Sequence, residues 1–280
     1  MRVHLCGVRG STPAPGREFL RYGGHTSCVA LGHDGGAGPT LILDAGTGLR
    51  GVTRLLDGQA FAGTILLTHL HWDHVQGLPF FRAGDRDDAR VTLLLPGQGE
   101  GRTATEVLAW GMSPPHFPIP PSGLRGEWSF GTIEPGPFKA GGFMVEAREV
   151  PHKGGRTFGY RVSDGRCAVT YIPDHCPTVA GPGPEGLGEY HLAALDLAAG
   201  ADLLIHDSFL LAHEVPAEAT FGHAAAEYAV GLGRRAGVRR VMLAHHKPDR
   251  TDDELDELAA RFASGTPAVI VAAEGGILDL

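Results

Sequence analysis

One short segment restricts what this chain can fold into more than any other part of the sequence. The segment HLHWDH, His69–His74, directly follows an apolar run that predicts a buried strand over Thr64–Thr68. In an extended chain the rings of His69 and His71 point to the same side, and a turn can bring the last two polar residues of the segment back toward them. Imidazoles and a carboxylate gathered in this way suit borderline first-row metals such as zinc. The alternative is that these are unrelated histidines on the surface. Their close spacing directly after a predicted buried strand argues against that alternative.

One segment cannot complete a metal site, and further candidate ligands follow predicted strands elsewhere in the chain. His152, Asp174 and His245 each lie just beyond the carboxyl end of an apolar strand. Open α/β sheets build their sites at this edge, so the ligands are expected to meet there. The residues predicted to hold metal are His69, His71, Asp73, His74, His152, Asp174 and His245.

Strand-like and helical patterns follow one another in an order typical of a layered α/β protein, with sheets inside and helices outside. A chain of 280 residues can share one core, so residues 1–280 are expected to form a single domain. Predicted strands are Arg2–Val8, Ser27–Leu31, Thr40–Leu43, Thr64–Thr68, Val91–Leu95, Phe143–Val150, Thr157–Val162, Cys167–Ile172, Asp202–His206, Val238–Ala244 and Ala268–Val271, where the regular core is expected to end. Predicted helices are Gly46–Leu56, Thr103–Trp110, Glu189–Ala199, Ala224–Arg235 and one that begins with a capping box at Thr251.

The least regular stretch spans residues 111–126 and carries five prolines. Proline fixes φ and removes a backbone donor, so this stretch is predicted to be a loop or arm rather than core. A functional loop and a stiff surface excursion both fit the pattern. His116 within it is more typical of a surface histidine than of a substrate contact.

The composition of the chain restricts which binding partners and which cellular setting are expected. A net charge of −8 argues against a general nucleic-acid-binding surface, which needs a basic footprint. No apolar run is long enough to span a bilayer, and the start of the chain predicts a strand rather than a signal peptide. The four cysteines form no CxxC pair, and they predict reduced, mostly buried thiols in a cytoplasmic protein. The sequence leaves the oligomeric state open, a homodimer included.

In their order along the chain, the candidate ligands resemble those of the metallo-β-lactamase fold hydrolases. The similarity includes the segment LDAGTG, Leu43–Gly48, and two N-terminal segments, Val8–Pro13 and Tyr22–Cys28. The resemblance implies a four-layer αββα sandwich of two mixed sheets, with the metals at one edge of the sheets. Carried over by position, it implies one ion on His69, His71 and His152, a second on Asp73, His74 and His245, and Asp174 as the bridge between them.

The chemistry expected of such a centre is hydrolysis. Two divalent ions about 3.5–4 Å apart can share a water and present hydroxide as the nucleophile. Zinc is the first choice, and manganese or iron suit the same ligands. Asp174 with Asp73 is typical of the dinuclear branch of the family, which includes phosphodiesterases, ribonuclease Z-like enzymes and glyoxalase II-like thioesterases. Cys176 is an alternative ligand close to Asp174.

Two histidines are candidates for the proton donor to the leaving group. The segment around His206 resembles the His-Glu-Ala-Thr segment of ribonuclease Z, and the segment around His223 resembles its Gly-His-Ser segment, each with departures. His206 could instead be a buried structural histidine, and His223 could pair with Glu227 one turn along a helix. The predicted catalytic residues are Asp73, His206 and His223.

The predicted function is a dinuclear metal-dependent hydrolase that acts on a phosphodiester (a small or cyclic nucleotide, or the 3′ end of RNA). The net charge of −8 favours a small-molecule or nucleotide substrate over a folded RNA. A thioester or lactone hydrolase on the same centre is the alternative, because the same ligands serve attack on carbon. A non-catalytic metal-binding sensor is a third hypothesis. The role of His25, where the family often has asparagine, stays open.

Overall fold

Two mixed β-sheets of seven strands each form the interior of the computed structural model, which describes residues 1–99, 101–183 and 185–280. The strands are β1 (Arg2–Gly7), β2 (Cys28–Gly32), β3 (Pro39–Leu43), β4 (Ala62–Leu66), β5 (Arg90–Pro96), β6 (Glu127–Ile133), β7 (Gly136–Ala140), β8 (Phe143–Glu149), β9 (Phe158–Ser163), β10 (Ala168–Ile172), β11 (Leu203–Asp207), β12 (Arg240–Ala244), β13 (Ala268–Val271) and β14 (Ile277–Asp279). The α-helices are α1 (Leu49–Leu55), α2 (Trp72–Val75), α3 (Ala104–Ala109), α4 (Leu192–Ala198), α5 (Val215–Glu218), α6 (Ala226–Ala236) and α7 (Asp252–Phe262).

Strand order nearly follows the sequence in both sheets. The first sheet runs β14-β1-β2-β3-β4-β5-β6, and the second runs β13-β12-β11-β10-β9-β8-β7. In the first sheet the pairs from β14 to β3 are antiparallel and those from β3 to β6 are parallel. In the second the pairs from β7 to β10 are antiparallel and those from β10 to β13 are parallel. Each sheet therefore has a parallel half, whose carboxyl ends lie at one edge.

Three apolar clusters separate four layers. The central cluster joins side chains of both sheets, such as Leu43 and Tyr160, and lies between them. A second packs α4, α6 and α7 on the outer face of the second sheet, and a third packs α1 and α3 on the first. This arrangement confirms the predicted αββα sandwich of two mixed sheets.

Three strands were missing from the prediction, two of them for local reasons and the third because it depends on a distant pairing. Strand β6 contains Gly131 and is largely half-buried, so its apolar alternation is weak. Strand β7 contains Pro137, which suits an edge strand, and β7 is the edge of its sheet. The expectation that regular structure ends at Ala268–Val271 is wrong, because β14 pairs antiparallel with β1.

Other local predictions are reproduced closely. Thr103 and Thr251 each cap a helix through a capping box, and Gly237 ends α6 with a left-handed φ of 68°. Residues 111–126 contain no α-helix or strand, only a single 3-10 turn at Pro121–Gly123. The cysteines are free, and Cys167 alone is not fully buried. Among the described residues, none of the helices has the length and apolar character needed to cross a membrane.

One buried hydroxyl connects the second sheet to the strand that precedes the histidine segment. The hydroxyl of Tyr160, in β9, donates to the carbonyl oxygen of Leu67 at 2.6 Å, and Tyr160 has no exposed surface. Leu67 is the residue after β4, so this bond helps to fix where the chain leaves the first sheet toward His69.

We expect the substitution Tyr160→Phe to lower the free energy of unfolding by about 1–3 kcal/mol, because it leaves a buried carbonyl without its donor. Tyr190→Phe is the matched control, since no hydrogen bond of the Tyr190 hydroxyl is present among the described residues, and it should change stability by less than about 0.5 kcal/mol. Denaturant unfolding at fixed metal content measures both values. Equal effects of the two substitutions would contradict the role given to Tyr160.

Candidate metal centre

Ligand atoms from the carboxyl ends of strands in both sheets meet in two groups, and a third set shares one residue with each of them; in every case the atoms lie within 4.8 Å of one another. Strand β4 leads to the histidine segment, in which His71 precedes the short helix α2. The first group is His69, His71, His152 and Asp174, the second is Asp73, His74 and His245, and the third set is Asp174, His223 and His245. The structure thus brings together every residue that the sequence predicted as a metal ligand.

Asp174 lies between the two groups. Its Oδ1 is 3.4 Å from His152 Nε2 and 4.0 Å from His69 Nε2. Its Oδ2 is 3.0 Å from His74 Nε2 and 3.2 Å from His245 Nε2. One carboxylate oxygen therefore faces each group, which is the arrangement of a ligand shared by two ions.

A buried carboxylate that follows β3, Asp44, sets the orientation of two imidazoles. His74 Nδ1 lies 2.8 Å from Asp44 Oδ2, and because a carboxylate only accepts, Nδ1 carries a hydrogen, which in the neutral ring leaves the lone pair on Nε2. The Thr68 hydroxyl donates to the same carboxylate at 2.9 Å, so its oxygen can accept from His69 Nδ1 at 3.0 Å. Both rings then present Nε2 toward Asp174.

Backbone groups fix further ligands. His152 Nδ1 donates to the carbonyl oxygen of Gly222 at 2.8 Å, which again leaves Nε2 free. The backbone N–H of Ser11 donates to Asp73 Oδ2 at 2.7 Å, so the N-terminal loop contacts the site. A Cβ on Gly46 would lie 2.1 Å from the carbonyl oxygen of Asp73, so only glycine lets the loop after β3 approach α2 this closely.

The electrostatics favour the ligating form of most of these groups, and His74 is the exception. Burial lowers the pKa of His74, but the neighbouring carboxylates, Asp73 first, outweigh it and hold the pKa well above its ordinary value, so a bound cation would have to displace that proton. Burial, and next the neighbouring His74, lower the pKa of His69 well below its ordinary value, and burial also lowers the pKa of His71 and His152. Burial alone would raise the pKa of Asp174, but the facing imidazoles, His245 first, outweigh it and hold the pKa well below its usual range. Neutral imidazoles and an ionised carboxylate are the forms that bind metal.

These residues fit divalent metal ions. The Nε2 atoms of His74 and His245 face each other at 3.3 Å, and His152 Nε2 faces His71 Nδ1 at the same distance. The lone pairs of His74 and His152 therefore point at another ring nitrogen, an arrangement that a cation between them would stabilise. Within the described residues, the buried His69 Nε2 has no hydrogen-bond partner. Five imidazoles and two carboxylates form a donor set that zinc, manganese and iron accept.

His223 lies at the edge of this cluster and is held by a second buried carboxylate, Asp207, at the end of β11. His223 Nδ1 lies 3.1 Å from Asp207 Oδ2 and 3.7 Å from Asp174 Oδ1. Burial lowers the pKa of His223, but the Asp207 carboxylate outweighs this effect and raises the pKa above its ordinary value. The ring also stacks on Phe209, with centroids 4.3 Å apart. The alternative pairing of His223 with Glu227 is not formed, because Glu227 instead binds the Ala212 N–H and Arg261.

The Asp207 carboxylate is itself fixed by backbone amides. Its Oδ2 accepts from the N–H groups of His175 and Ala224 at 3.0 and 3.1 Å, and its Oδ1 accepts from that of Phe209 at 2.9 Å. Asp207 was not among the predicted catalytic residues, although the acidic position after His206 in the same segment was the signal that could have identified it.

His206 does not fit the catalytic role predicted for it. The residue is fully buried, its Nε2 lies 3.1 Å from His175 Nδ1, and its Nδ1 donates to the carbonyl oxygen of Asp207 at 2.8 Å. With both ring nitrogens engaged and no exposed surface, it cannot donate to a substrate. Its placement matches the alternative of a structural histidine at a strand end.

Other polar residues considered from the sequence lie outside both ligand groups. The Cys176 thiol lies 3.6 Å from the Thr178 hydroxyl, so the structure does not support it as a ligand. His246 donates to the carbonyl oxygen of Ala272 at 2.9 Å. His25 Nε2 lies 3.9 Å from Glu274, and His116 is on the surface, as expected.

Known proteins share this sequence pattern and this fold. Residues 40–246 match the family described as the beta-lactamase superfamily domain. The ribonuclease Z of Salinibacter ruber is 28% identical over 296 residues, which cover 89% of this chain and 87% of that protein. The metallo-beta-lactamase fold protein YhfI from Bacillus subtilis superposes with a TM-score of 0.72 at 18% identity, over 99% of both chains. The short form of human tRNase Z superposes with a TM-score of 0.67 at 19% identity, over 100% of this chain and 99% of that one.

The family match covers more than half of the chain, and the superpositions agree with the two-sheet architecture. The family and the fold class predicted from the sequence are both confirmed. The chain belongs to the beta-lactamase superfamily and is a metal-dependent hydrolase of that fold.

Proposed function

We propose that this chain is a two-metal phosphodiesterase that hydrolyses a small phosphodiester, with zinc as its resident metal. His69, His71 and His152 would hold one ion, Asp73, His74 and His245 the other, and Asp174 both. When bound, such ions lower the pKa of a coordinated water toward neutrality and neutralise charge on substrate oxygens. The observation that carries the choice of substrate is the His223–Asp207 pair beside Asp174.

A positioned proton donor matters most when the leaving group is a poor one. The alkoxide released from a phosphodiester is strongly basic and needs a proton as its bond to phosphorus breaks. The thiolate released from a thioester titrates near pH 8.5 and needs much less help. A histidine whose pKa is raised by a neighbouring carboxylate therefore favours an ester with an oxygen leaving group.

We assign separate tasks to the two residues of this pair. Asp207 accepts the Nδ1–H of His223, so the imidazole is held in one orientation, and the carboxylate raises the pKa of the ring against the effect of burial. No hydrogen bond of His223 Nε2 is present among the described residues, so its proton is available to the leaving oxygen. Asp207 is a positioning residue, because its carboxylate binds backbone amides and not the reacting atoms.

Similarity and charge support the same substrate class. The ribonuclease Z of Salinibacter ruber, a protein named for cleavage of RNA, matches most of this chain. The net charge of −8 opposes binding of a long polyanion, because each phosphate contact needs a compensating cation. A small phosphodiester, such as a nucleotide ester, fits both observations.

A substrate panel tests the proposed reaction. The zinc-loaded protein should hydrolyse a dinucleoside phosphodiester, whose leaving group is an alkoxide, at least about 100-fold faster than a comparable thioester, since the proton donor serves the basic oxygen leaving group. The rates are followed at saturating metal by release of nucleoside or thiol, and by release of acid from a lactone run beside them. Hydrolysis of the thioester or lactone with the phosphodiester left intact would overturn the proposal.

The substitution His223→Ala should lower kcat for the phosphodiester by about 10²- to 10⁴-fold while the metal content stays unchanged, because the variant loses the proton donor but no ligand of either ion. His213→Ala, an exposed histidine away from the site, is the control and should leave both quantities as they are. Metal content is measured by elemental analysis and kcat by initial rates. Loss of metal in His223→Ala would make His223 a ligand, a role that its place near Asp174 and His245 also permits.

The substitution Asp207→Asn should lower kcat by about tenfold or more without loss of metal, because the amide no longer holds the charged imidazole. Asp202→Asn is the matched control, since Asp202 lies next to the opposite end of β11, accepts the Ala168 N–H and pairs with Arg239. If Asp207 only supported the fold, both variants would lose stability and neither would lose kcat selectively. Unfolding transitions measured beside the rates separate these outcomes.

A further inference from the structure

A cleft of about 1010 Å³ opens beside the first ligand group. His69 and His71 form part of its wall, so it is continuous with the metal centre. The end of α3 and the proline-rich stretch also line the cleft, and the stretch contributes Met112 and Phe117. The proline-rich stretch, whose role the sequence left open, therefore lines the space next to the metal centre.

Exposed aromatic rings line this cleft. Trp72 is 78% exposed although it lies inside the histidine segment, and Trp110 is 59% exposed. Phe80 is 55% exposed and packs edge-on against Phe117 at 5.9 Å. Large aromatic side chains left in contact with water at a concave surface are typical of a binding site. The third tryptophan, Trp128, differs, because its indole N–H donates to backbone carbonyls and it does not line the cleft.

The charges in this cleft are mostly positive, although the chain as a whole is acidic. Arg50, Arg82 and Lys153 line it and have no ion-pair partner in the part of the chain that the structure describes, and the Lys153 ammonium donates to the carbonyl oxygen of Thr220. Asp85 is the acidic residue of the lining, and it pairs with Arg125 at 3.2 Å. The cleft therefore suits a ligand that is both planar aromatic and anionic.

We propose that this cleft binds the nucleobase of a nucleotide phosphodiester, stacked on Trp72 and Trp110, while the phosphate lies at the metal centre. The inference rests on the proposed phosphodiesterase function and adds to it the class of substrate. An acyl chain would fill the apolar part of the cleft but would leave the cations Arg50, Arg82 and Lys153 without a counter-charge. A nucleotide uses both the aromatic and the cationic groups, since bases stack on aromatic side chains and phosphate pairs with cations.

Binding of two ligands that differ only by the base tests the inference. Isothermal titration of the zinc-loaded protein with adenosine 5′-monophosphate and with ribose 5-phosphate should show tighter binding of the nucleotide by about 5- to 150-fold, the range expected for stacking of one base. In Trp72→Leu and in Trp110→Leu this preference should fall toward equal binding of the two ligands, while ribose 5-phosphate binds as before. Leu192→Ala is the control, because Leu192 is 75% exposed at the start of α4 and lies outside the cleft.

Equal binding of the two ligands by the unmodified protein, or binding of neither, would overturn the inference. Retention of the preference in the tryptophan variants would also overturn the inference. So would binding of decanoate, a probe for an acyl chain, that depends on both tryptophans. Hydrolysis of bis(4-nitrophenyl) phosphate in the same preparations separates this test from that of the proposed function. A base preference without hydrolysis contradicts the proposed reaction, whereas hydrolysis without a base preference contradicts only the nucleobase cleft.

Discussion

The buried carboxylate of Asp44 holds the two sheets and the metal-binding rings in one hydrogen-bond network. It accepts from the backbone and the hydroxyl of Thr68, from the ring of His74, and across the central layer from the hydroxyl of Tyr171. A fully buried charge is tolerated only when several donors satisfy it, and here the donors come from both sheets. Packing of the sheets and orientation of the ligands therefore depend on the same group.

Asp207 repeats this arrangement in the second sheet. Asp44 directly follows β3 and Asp207 ends β11, and each carboxylate accepts hydrogen bonds from neighbouring groups and from one histidine ring. The two histidines have different roles in the proposed mechanism. His74 would bind a metal ion through Nε2, whereas His223 would donate a proton to the leaving group. One type of buried carboxylate would then support both a ligand and an acid at the same edge of the sandwich.

The sequence predicted most of what is local and less of what depends on distant contacts. The ligands were found because each follows an apolar strand, a pattern visible within ten residues. Strand β14 could not be found in this way, since three residues become a strand only by pairing with β1 at the other end of the chain. The choice between His206 and His223 also needed the fold, because Asp207 adjoins the first in sequence but binds the ring of the second. Likewise, Trp72 and Trp110 are 38 residues apart in sequence and line one cleft only in the folded chain.

The central claim is a centre of two metal ions that share Asp174. Anomalous X-ray diffraction from crystals of the zinc-loaded protein, recorded on both sides of the zinc absorption edge, tests it most directly. The account predicts two zinc peaks about 3.5–4 Å apart, one among His69, His71 and His152 and the other among Asp73, His74 and His245. A single peak with the second ligand group empty, or peaks bound by other residues, would contradict it.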